Sequence, residues 1–150
     1  FNADESLAAI AQSGGIFITP EDLSWPTRVN QLATAPLGLI VKGDISILNN
    51  PSLAIVGTRN PTPYGVRLAG DFAAGFVDRE WDIISGGAYG IDTAAHRGAL
   101  VAEGRTIAVI ASGIDVQYPA GNARLFDETV NQPPIKRLLH SEQVSQPIFI

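Results

Sequence analysis

The feature that most constrains the fold is a repeated pattern in which a short apolar run ends in a loop of glycine and other small residues. Residues 53–56 (Leu-Ala-Ile-Val) lead into the loop 57–65, and residues 82–84 (Asp-Ile-Ile) lead into the loop 85–92. A stretch with helical spacing of apolar residues follows each loop. Strand, loop and helix repeated in this order predict a parallel sheet with crossover helices, in which ligands bind beyond the carboxyl ends of the strands.

The rest of the chain continues this α/β pattern. A third buried strand leads into another small-residue loop at 112–115, and Asn122 is the expected N-cap of the helix that follows. Trp25 and Trp81 are interpreted as packing residues. The predicted helices cover residues 5–12, 64–80, 90–103 and 122–130, and the predicted strands cover residues 16–19, 39–42, 53–56, 81–85, 106–111 and 146–150. The fold class is therefore predicted to be α/β, with a mainly parallel sheet and helices on both faces.

The composition restricts the possible classes of function. The 150 residues, 45% hydrophobic and 17% charged, are enough for one globular core. The absence of cysteine excludes disulfides, thiolate metal sites and a cysteine nucleophile. No apolar run is long enough to cross a bilayer and no signal peptide is evident, so we expect a cytoplasmic protein without membrane contact. The net charge of −5 argues against indiscriminate binding of nucleic acids, although a local site can still be positive.

The two glycine loops are candidate sites for a phosphate group. Backbone N–H groups at a helix start attract anions, and the helix dipole strengthens the attraction. Glycine at 57, 86, 87 and 90 lets the main chain approach a ligand closely. Arg59 adds a planar cation that suits phosphate oxygens or a base edge. Neither loop is a Walker A motif or a Gly-x-Gly-x-x-Gly motif, which disfavours NTP hydrolysis and ordinary NAD binding.

Other polar and aromatic residues near the loops allow two interpretations each. His96 follows Asp92 by four residues on the same predicted helical face, so the two could be an acid–base pair, or the carboxylate could orient a structural imidazole. Tyr64, Tyr89 and Tyr118 lie in or beside the three loops. Exposed rings there could stack on nucleic-acid bases, or they could pack the loops together.

An ordered set of motifs runs through the chain. It includes Thr-Pro-Glu-Asp at 19–22, Gly-Thr-Arg at 57–59, Ser-Gly-Gly-Ala-Tyr-Gly-Ile-Asp at 85–92, Ala-His-Arg-Gly-Ala-Leu at 95–100 and Tyr-Pro at 118–119. From about residue 19 to residue 130 this set resembles the DprA/Smf DNA-processing proteins of bacteria. The resemblance implies an extended Rossmann-like domain that binds single-stranded DNA and helps load the RecA recombinase in natural transformation. It also implies a homodimer, and a DNA-binding accessory protein with no catalytic residues, cofactor or metal.

The resemblance assigns roles to individual positions. Arg59 corresponds to a DNA-contacting arginine, and residues 85–92 help to form the same phosphate pocket. Tyr64, Tyr89, Arg97 and Asn122 are included because they are expected near that pocket. The expected DNA- or phosphate-binding residues are Gly57, Thr58, Arg59, Tyr64, Ser85, Gly86, Gly87, Tyr89, Arg97 and Asn122.

The chain is expected to consist of two parts. Residues 1–35 are interpreted as an N-terminal lead-in segment and residues 36–150 as a Rossmann-like DNA-binding domain. Its C-terminal part is expected to be incomplete, since the family's basic Phe-x-x-Arg-Asn-Arg motif is missing after Val130.

A fold alone does not fix a function. The alternative function is therefore that of a nucleotide-binding enzyme or sensor similar to nucleoside monophosphate hydrolases, with Asp92 and His96 as its acid–base candidates.

Overall fold

A mixed β-sheet organises the molecule in a computed structural model that describes residues 2–131 and the backbone of residues 148–149. In chain order the elements are α1 (Ala3–Gln12), β1 (Ile16–Ile18), a 3₁₀ helix (Thr27–Gln31), β2 (Leu39–Gly43), a 3₁₀ helix (Ile45–Asn49), β3 (Ser52–Ala54), α2 (Pro63–Val77), β4 (Asp82–Ser85), α3 (Ile91–Val101), β5 (Thr106–Ala108), a 3₁₀ turn (Ala120–Asn122), α4 (Ala123–Val130) and β6 (Ile148–Phe149). The strand order is β1-β2-β6-β5-β4-β3. Strands β3 to β6 are parallel, whereas β2 runs antiparallel to β6 and β1 antiparallel to β2. The predicted α/β class is confirmed.

The two faces of the sheet are covered by different kinds of helix. Ile83 of β4 packs with Ala73 of α2 and Ala95 of α3, and Ala108 of β5 packs with Phe126 of α4. Side chains alternate between faces along a strand, so Ile107 points the other way. That opposite face is covered by Trp25, which precedes the first 3₁₀ helix, and by residues of the second one. In the described part of the chain the α-helices that cover the sheet therefore lie on one face and the 3₁₀ helices on the other.

A polar contact fixes the amino ends of the central strands. The buried carboxylate of Asp82, at the start of β4, binds Nε of Arg105 at 2.6 Å and accepts Nδ2–H of Asn50 at 2.9 Å. Arg105 immediately precedes β5, and Asn50 lies two residues before β3. A buried carboxylate is stable only with such partners, so this contact helps to hold the strands in register at the edge opposite the glycine loops.

Helices α2 and α3 approach each other unusually closely. A Cβ atom added to Gly98 of α3 would lie 2.5 Å from the carbonyl oxygen of Gly70 of α2. A side chain at position 98 would therefore separate the helices. The start of α2 is defined by Pro63 at its first turn and by Thr62, whose Oγ1 accepts the N–H of Gly65 at 3.1 Å.

The boundaries differ from the sequence prediction at several points. The central strands are shorter than predicted, and α2 ends at Val77 instead of residue 80. The two longer 3₁₀ helices were not predicted, because short helices of this type lack a clear periodicity. Trp25 is buried as predicted, whereas Trp81 is 39% exposed and contacts Phe76 edge to face, so its description as a packing residue is only partly right.

Segments near both ends of the chain contribute strands to the sheet. Strand β1, from the predicted lead-in segment, pairs with β2, and Ile18 and Trp25 share a core cluster with Ile107. The predicted strand at 146–150 is found as β6, between β2 and β5. Residues 132–147, where the motif pattern departs from the family, lie outside the described residues. No helix in the described part is long and apolar enough to cross a membrane.

Candidate nucleic-acid interface

The loops that follow β3 and β4 are in direct contact at the carboxyl edge of the sheet. The N–H of Ile91 donates to the carbonyl oxygen of Thr58 at 3.2 Å. Gly90, with φ of +86°, lies so close to this segment that an added Cβ would be 2.3 Å from the same carbonyl oxygen. Glycine is therefore required at position 90 both for the positive φ and for the close approach.

Asp92, in the first turn of α3, joins the same two loops through its carboxylate. Its Oδ1 accepts the N–H of Gly57 at 3.3 Å, and its Oδ2 accepts the N–H of Gly86 at 3.1 Å. The carboxylate is buried and lies at the positive end of the helix dipole. The backbone N–H groups of Gly57 and Gly86, which the sequence suggested for phosphate, thus have an internal anion as their partner.

Arg59 lines a cavity of about 180 Å³ at this edge. Its side chain is exposed, and no carboxylate or hydrogen-bond acceptor among the described residues engages its guanidinium. Ser112 also lines the cavity, and its Oγ has no hydrogen-bond partner in the described part of the chain. The cavity is lined by Arg59, Gly86, Ala88, Tyr89, Ile110, Ala111, Ser112, Tyr118 and Pro119. The cavity thus offers one cation without a counterion beside aromatic and backbone groups.

The three tyrosines are all exposed, but the structure separates them. Tyr89 and Tyr118, which are 48% and 63% exposed, line the Arg59 cavity. The hydroxyl of Tyr89 accepts the N–H of Gly121 at 3.2 Å, so its ring is held in place while one side stays open. Tyr64, in the first turn of α2, is 72% exposed and does not line the cavity. Both sequence interpretations therefore apply to Tyr89, which packs against a neighbouring loop and also offers a ring surface.

Three of the expected site residues support the loops from within. The Oγ–H of Ser85 is buried and donates to the carbonyl oxygen of Ile55 at 2.7 Å. Asn122 is buried and donates Nδ2–H to the carbonyl oxygen of Gly87 at 2.9 Å and to Oγ1 of Thr93 at 2.8 Å. Gly87 itself is buried against the Phe126 ring. Asn122 does precede α4, as predicted, but its side chain holds the glycine loop and does not cap the helix.

His96 is buried, with no exposed surface, and its surroundings favour the structural interpretation over an acid–base pair. The hydroxyl of Thr106 donates to the carbonyl oxygen of Ile83 at 2.9 Å, so Nδ1–H of His96 donates to that hydroxyl oxygen at 2.7 Å. Nε2 has no partner among the described residues. Burial lowers the pKa of His96 to about 4, and the Asp92 carboxylate opposes this only in part. The imidazole is therefore neutral near pH 7 and does not face the cavity.

Arg97 and Asn122 belong to a different concave surface. Together with Tyr89 they line a groove between α2 and α3, which the Arg59 cavity adjoins at Tyr89. Tyr118 and Ser112 line the Arg59 cavity but are not among the expected site residues. Both follow the third strand-to-loop transition, which was a sequence signal of the same kind as the first two loops. The described part of the chain contains no cluster of His, Asp and Glu that could hold a metal ion.

Comparison with known proteins reveals extensive similarity. A family model for DNA recombination-mediator protein A matches residues 16–146. The putative DNA processing protein DprA of Mycobacterium tuberculosis is 41% identical over 137 residues, which cover 83% of this chain and 35% of that protein. DNA processing protein DprA of Streptococcus pneumoniae is 42% identical over 106 residues, which cover 71% of this chain and 37% of that protein. The chain thus spans about a third of the length of these curated relatives.

Solved structures of DNA processing protein A are also similar to this chain. The crystal structure of DNA processing protein A from S. pneumoniae superimposes with a TM-score of 0.79 at 32% identity, covering 99% of this chain and 47% of that one. The structure of DNA processing protein A from Helicobacter pylori, described for its mode of binding single-stranded DNA, gives a TM-score of 0.66 at 28% identity, covering 89% of this chain and 54% of that one.

Proposed function

Because the chain belongs to the DNA recombination-mediator protein A family, we propose that it binds single-stranded DNA at the Arg59 cavity. The observation that carries this proposal is the guanidinium of Arg59, which lacks a counterion in the described part of the chain and stands beside Tyr89 and Tyr118. A cation with several donors suits a backbone phosphate, and exposed rings suit unpaired bases. The relative from H. pylori, whose structure concerns single-stranded DNA binding, supports the same ligand.

In the proposed mechanism, charge and stacking supply the affinity and the loops supply the geometry. Arg59 binds a phosphate oxygen, while Tyr118 and Tyr89 contact the faces of neighbouring bases. Asp92 and Asn122 act without touching DNA, since they hold the two glycine loops against each other. A site of this kind tolerates any sequence, because every base has a face on which an aromatic ring can stack.

The alternative function, binding or hydrolysis of a free nucleotide, fits the site less well. A nucleotide enzyme of this fold type would use the loop N–H groups for its phosphate, and Asp92 occupies those of Gly57 and Gly86. The acid–base candidate His96 is fully buried and does not line the Arg59 cavity. We therefore propose a DNA-binding accessory protein and not an enzyme.

A direct test is a fluorescence-anisotropy titration of labelled single-stranded and double-stranded oligonucleotides at two salt concentrations. We expect preferential binding of the single strand and a salt dependence of about −0.7 in log–log slope for each phosphate contacted. Arg59→Ala should remove most of that binding without unfolding the protein, because the side chain is exposed.

Arg79→Ala is the matched control. It removes one positive charge from the turn after α2, where Nη1 of Arg79 donates to the carbonyl oxygen of Gly75 and has no ion pair among the described residues. Its DNA affinity should stay close to that of the unmodified chain. Equal affinities for Arg59→Ala and the unmodified chain, with both folded, would refute the proposed site.

The family also suggests two partners. We propose that the full-length protein helps to load the RecA recombinase onto the bound strand and that it acts as a homodimer. Sedimentation equilibrium would test the second point. The first can be tested by following RecA filament assembly on single-stranded DNA with the unmodified protein and with Arg59→Ala, which should fail to stimulate assembly if DNA capture precedes loading.

A further inference from the structure

A groove of about 730 Å³ runs between α2 and α3, next to the Arg59 cavity. Its floor is open because small residues from both helices, including Gly70, Ala74, Ala94 and Gly98, carry no bulky side chain. Val66 and Val101, which are 42% and 85% exposed, form apolar parts of its walls. This volume falls in the range that holds an organic ligand or several groups of a polymer.

Two free cations line the groove. Arg67 of α2 and Arg97 of α3 are both exposed, and neither has an ion pair or hydrogen bond with any of the described residues. Asp71 is the one carboxylate among the lining residues. The groove therefore carries an excess of positive charge although the chain as a whole has a net charge of −5. Unneutralised guanidinium groups beside apolar walls suit a ligand with phosphates and flat apolar faces.

The groove and the Arg59 cavity share one lining residue. Tyr89 lines both, and its hydroxyl contacts the N–H of Gly121, which also lines the groove. The cavity of about 180 Å³ is smaller than the usual pocket for an organic ligand, which is about 300 Å³ or more, so a bound strand must leave it. Single-strand binding sites normally extend over several nucleotides. A strand that binds Arg59 and leaves the cavity beside Tyr89 would therefore enter the groove that Arg67 and Arg97 line.

We propose that the α2–α3 groove is a second single-stranded DNA subsite, which receives the nucleotides that leave the Arg59 cavity past Tyr89. This inference rests on the proposed function. Arg67 and Arg97 bind backbone phosphates there, the valine side chains contact bases or sugars, and the Tyr89 ring guides the strand at the junction. Asp71 weakens binding, because its carboxylate repels the phosphates.

The test compares oligothymidylates of about 4 and about 16 nucleotides, which bracket the usual range of single-strand site sizes. The double variant Arg67→Ala/Arg97→Ala should bind the long strand about tenfold more weakly, with a salt slope reduced by about 1.4, and should bind the short strand normally. Asp71→Asn should change long-strand affinity in the opposite direction. Arg28→Ala/Arg79→Ala, which also removes two positive charges but outside the groove, is the charge-matched control.

The outcomes separate this inference from the proposed function. If Arg59→Ala loses the long strand but the double variant binds it as tightly as the unmodified chain, the groove is not a DNA subsite and the inference is overturned. If the unmodified chain binds neither length, the proposed function fails and the inference falls with it. If Arg28→Ala/Arg79→Ala weakens long-strand binding as much as Arg67→Ala/Arg97→Ala does, the loss is a general charge effect and the inference is overturned.

Discussion

Asp92 and Gly57 are joined across two loops, because the backbone N–H of Gly57 donates to Oδ1 of Asp92 at 3.3 Å although 35 positions separate them. The second oxygen of the same carboxylate accepts the N–H of Gly86. Glycine loops of this appearance usually suggest a phosphate cradle. Here a protein carboxylate takes the place of the anion, and the free cationic group of the site is Arg59, on the solvent side of the loops.

Replacing Asp92 by alanine should destabilise the fold. The two N–H groups would lose their acceptor in a partly buried place, which costs about 2–4 kcal/mol of unfolding free energy. Urea unfolding would measure the loss. Asp71→Ala is the control, since its exposed carboxylate has no partner in the described part of the chain and the change should stay within about 0.5 kcal/mol. Equal stabilities of the two variants would contradict the assigned role of Asp92.

The stability of the fold should fall in mild acid because of His96. Its pKa is lowered from the ordinary 6.5 to about 4 by burial, so the unfolded chain binds a proton in this interval and the folded chain does not. The free energy of unfolding should therefore decrease by about 3 kcal/mol as the pH falls from 6.5 to 4, and this contribution should be fully present above pH 6.5.

Carboxylates also titrate in this range, so the measurement must isolate the histidine. Chemical unfolding of His96→Gln and of the unmodified chain, each followed from pH 7 to pH 4, gives the difference between two pH profiles. The glutamine variant should lose less stability on acidification, whatever its stability at pH 7. Parallel profiles would mean that His96 is not held neutral in the folded state.

Alanine should have opposite effects at two glycines of the α2–α3 contact. At Gly98 a Cβ would meet the carbonyl oxygen of Gly70 at 2.5 Å, so the helices must separate and the protein should lose about 1–2 kcal/mol. At Gly70 the nearest atom to an added Cβ is 3.8 Å away, so the better helix propensity of alanine should dominate and stability should rise by up to about 1 kcal/mol. Thermal unfolding of both variants would show whether the changes have opposite signs.

Much of the architecture could be predicted from the sequence, because the pattern of apolar runs and glycine loops is local. Positions 57 and 90 follow strands and precede helices, and the loops that contain them do meet at one edge of the sheet. The 3₁₀ helix at Ile45–Asn49 was missed because it is too short for its periodicity to be recognised.

The partners of the loops could not be predicted, since they depend on contacts between distant residues. A sequence shows that Gly57 has an N–H group but not whether a ligand or Asp92 accepts it. Asn122 has the residue type and position of a helix cap, yet its amide reaches Gly87 instead. Likewise, Arg67 and Arg97 line one groove because α2 packs against α3, and the lack of a side chain at position 98 permits that close approach.

Tyr118 and Tyr64 allow a comparison of equal side chains inside and outside the Arg59 cavity. Tyr118→Ala should weaken binding of single-stranded DNA by about 1–3 kcal/mol, because a base loses its stacking surface, whereas Tyr118→Phe should bind normally since it keeps the ring. Tyr64→Ala should have a smaller effect, because Tyr64 is even more exposed than Tyr118 but does not line the cavity. Anisotropy titrations of the three variants would rank them, and a larger loss for Tyr64→Ala than for Tyr118→Ala would move the DNA path away from the cavity to the start of α2.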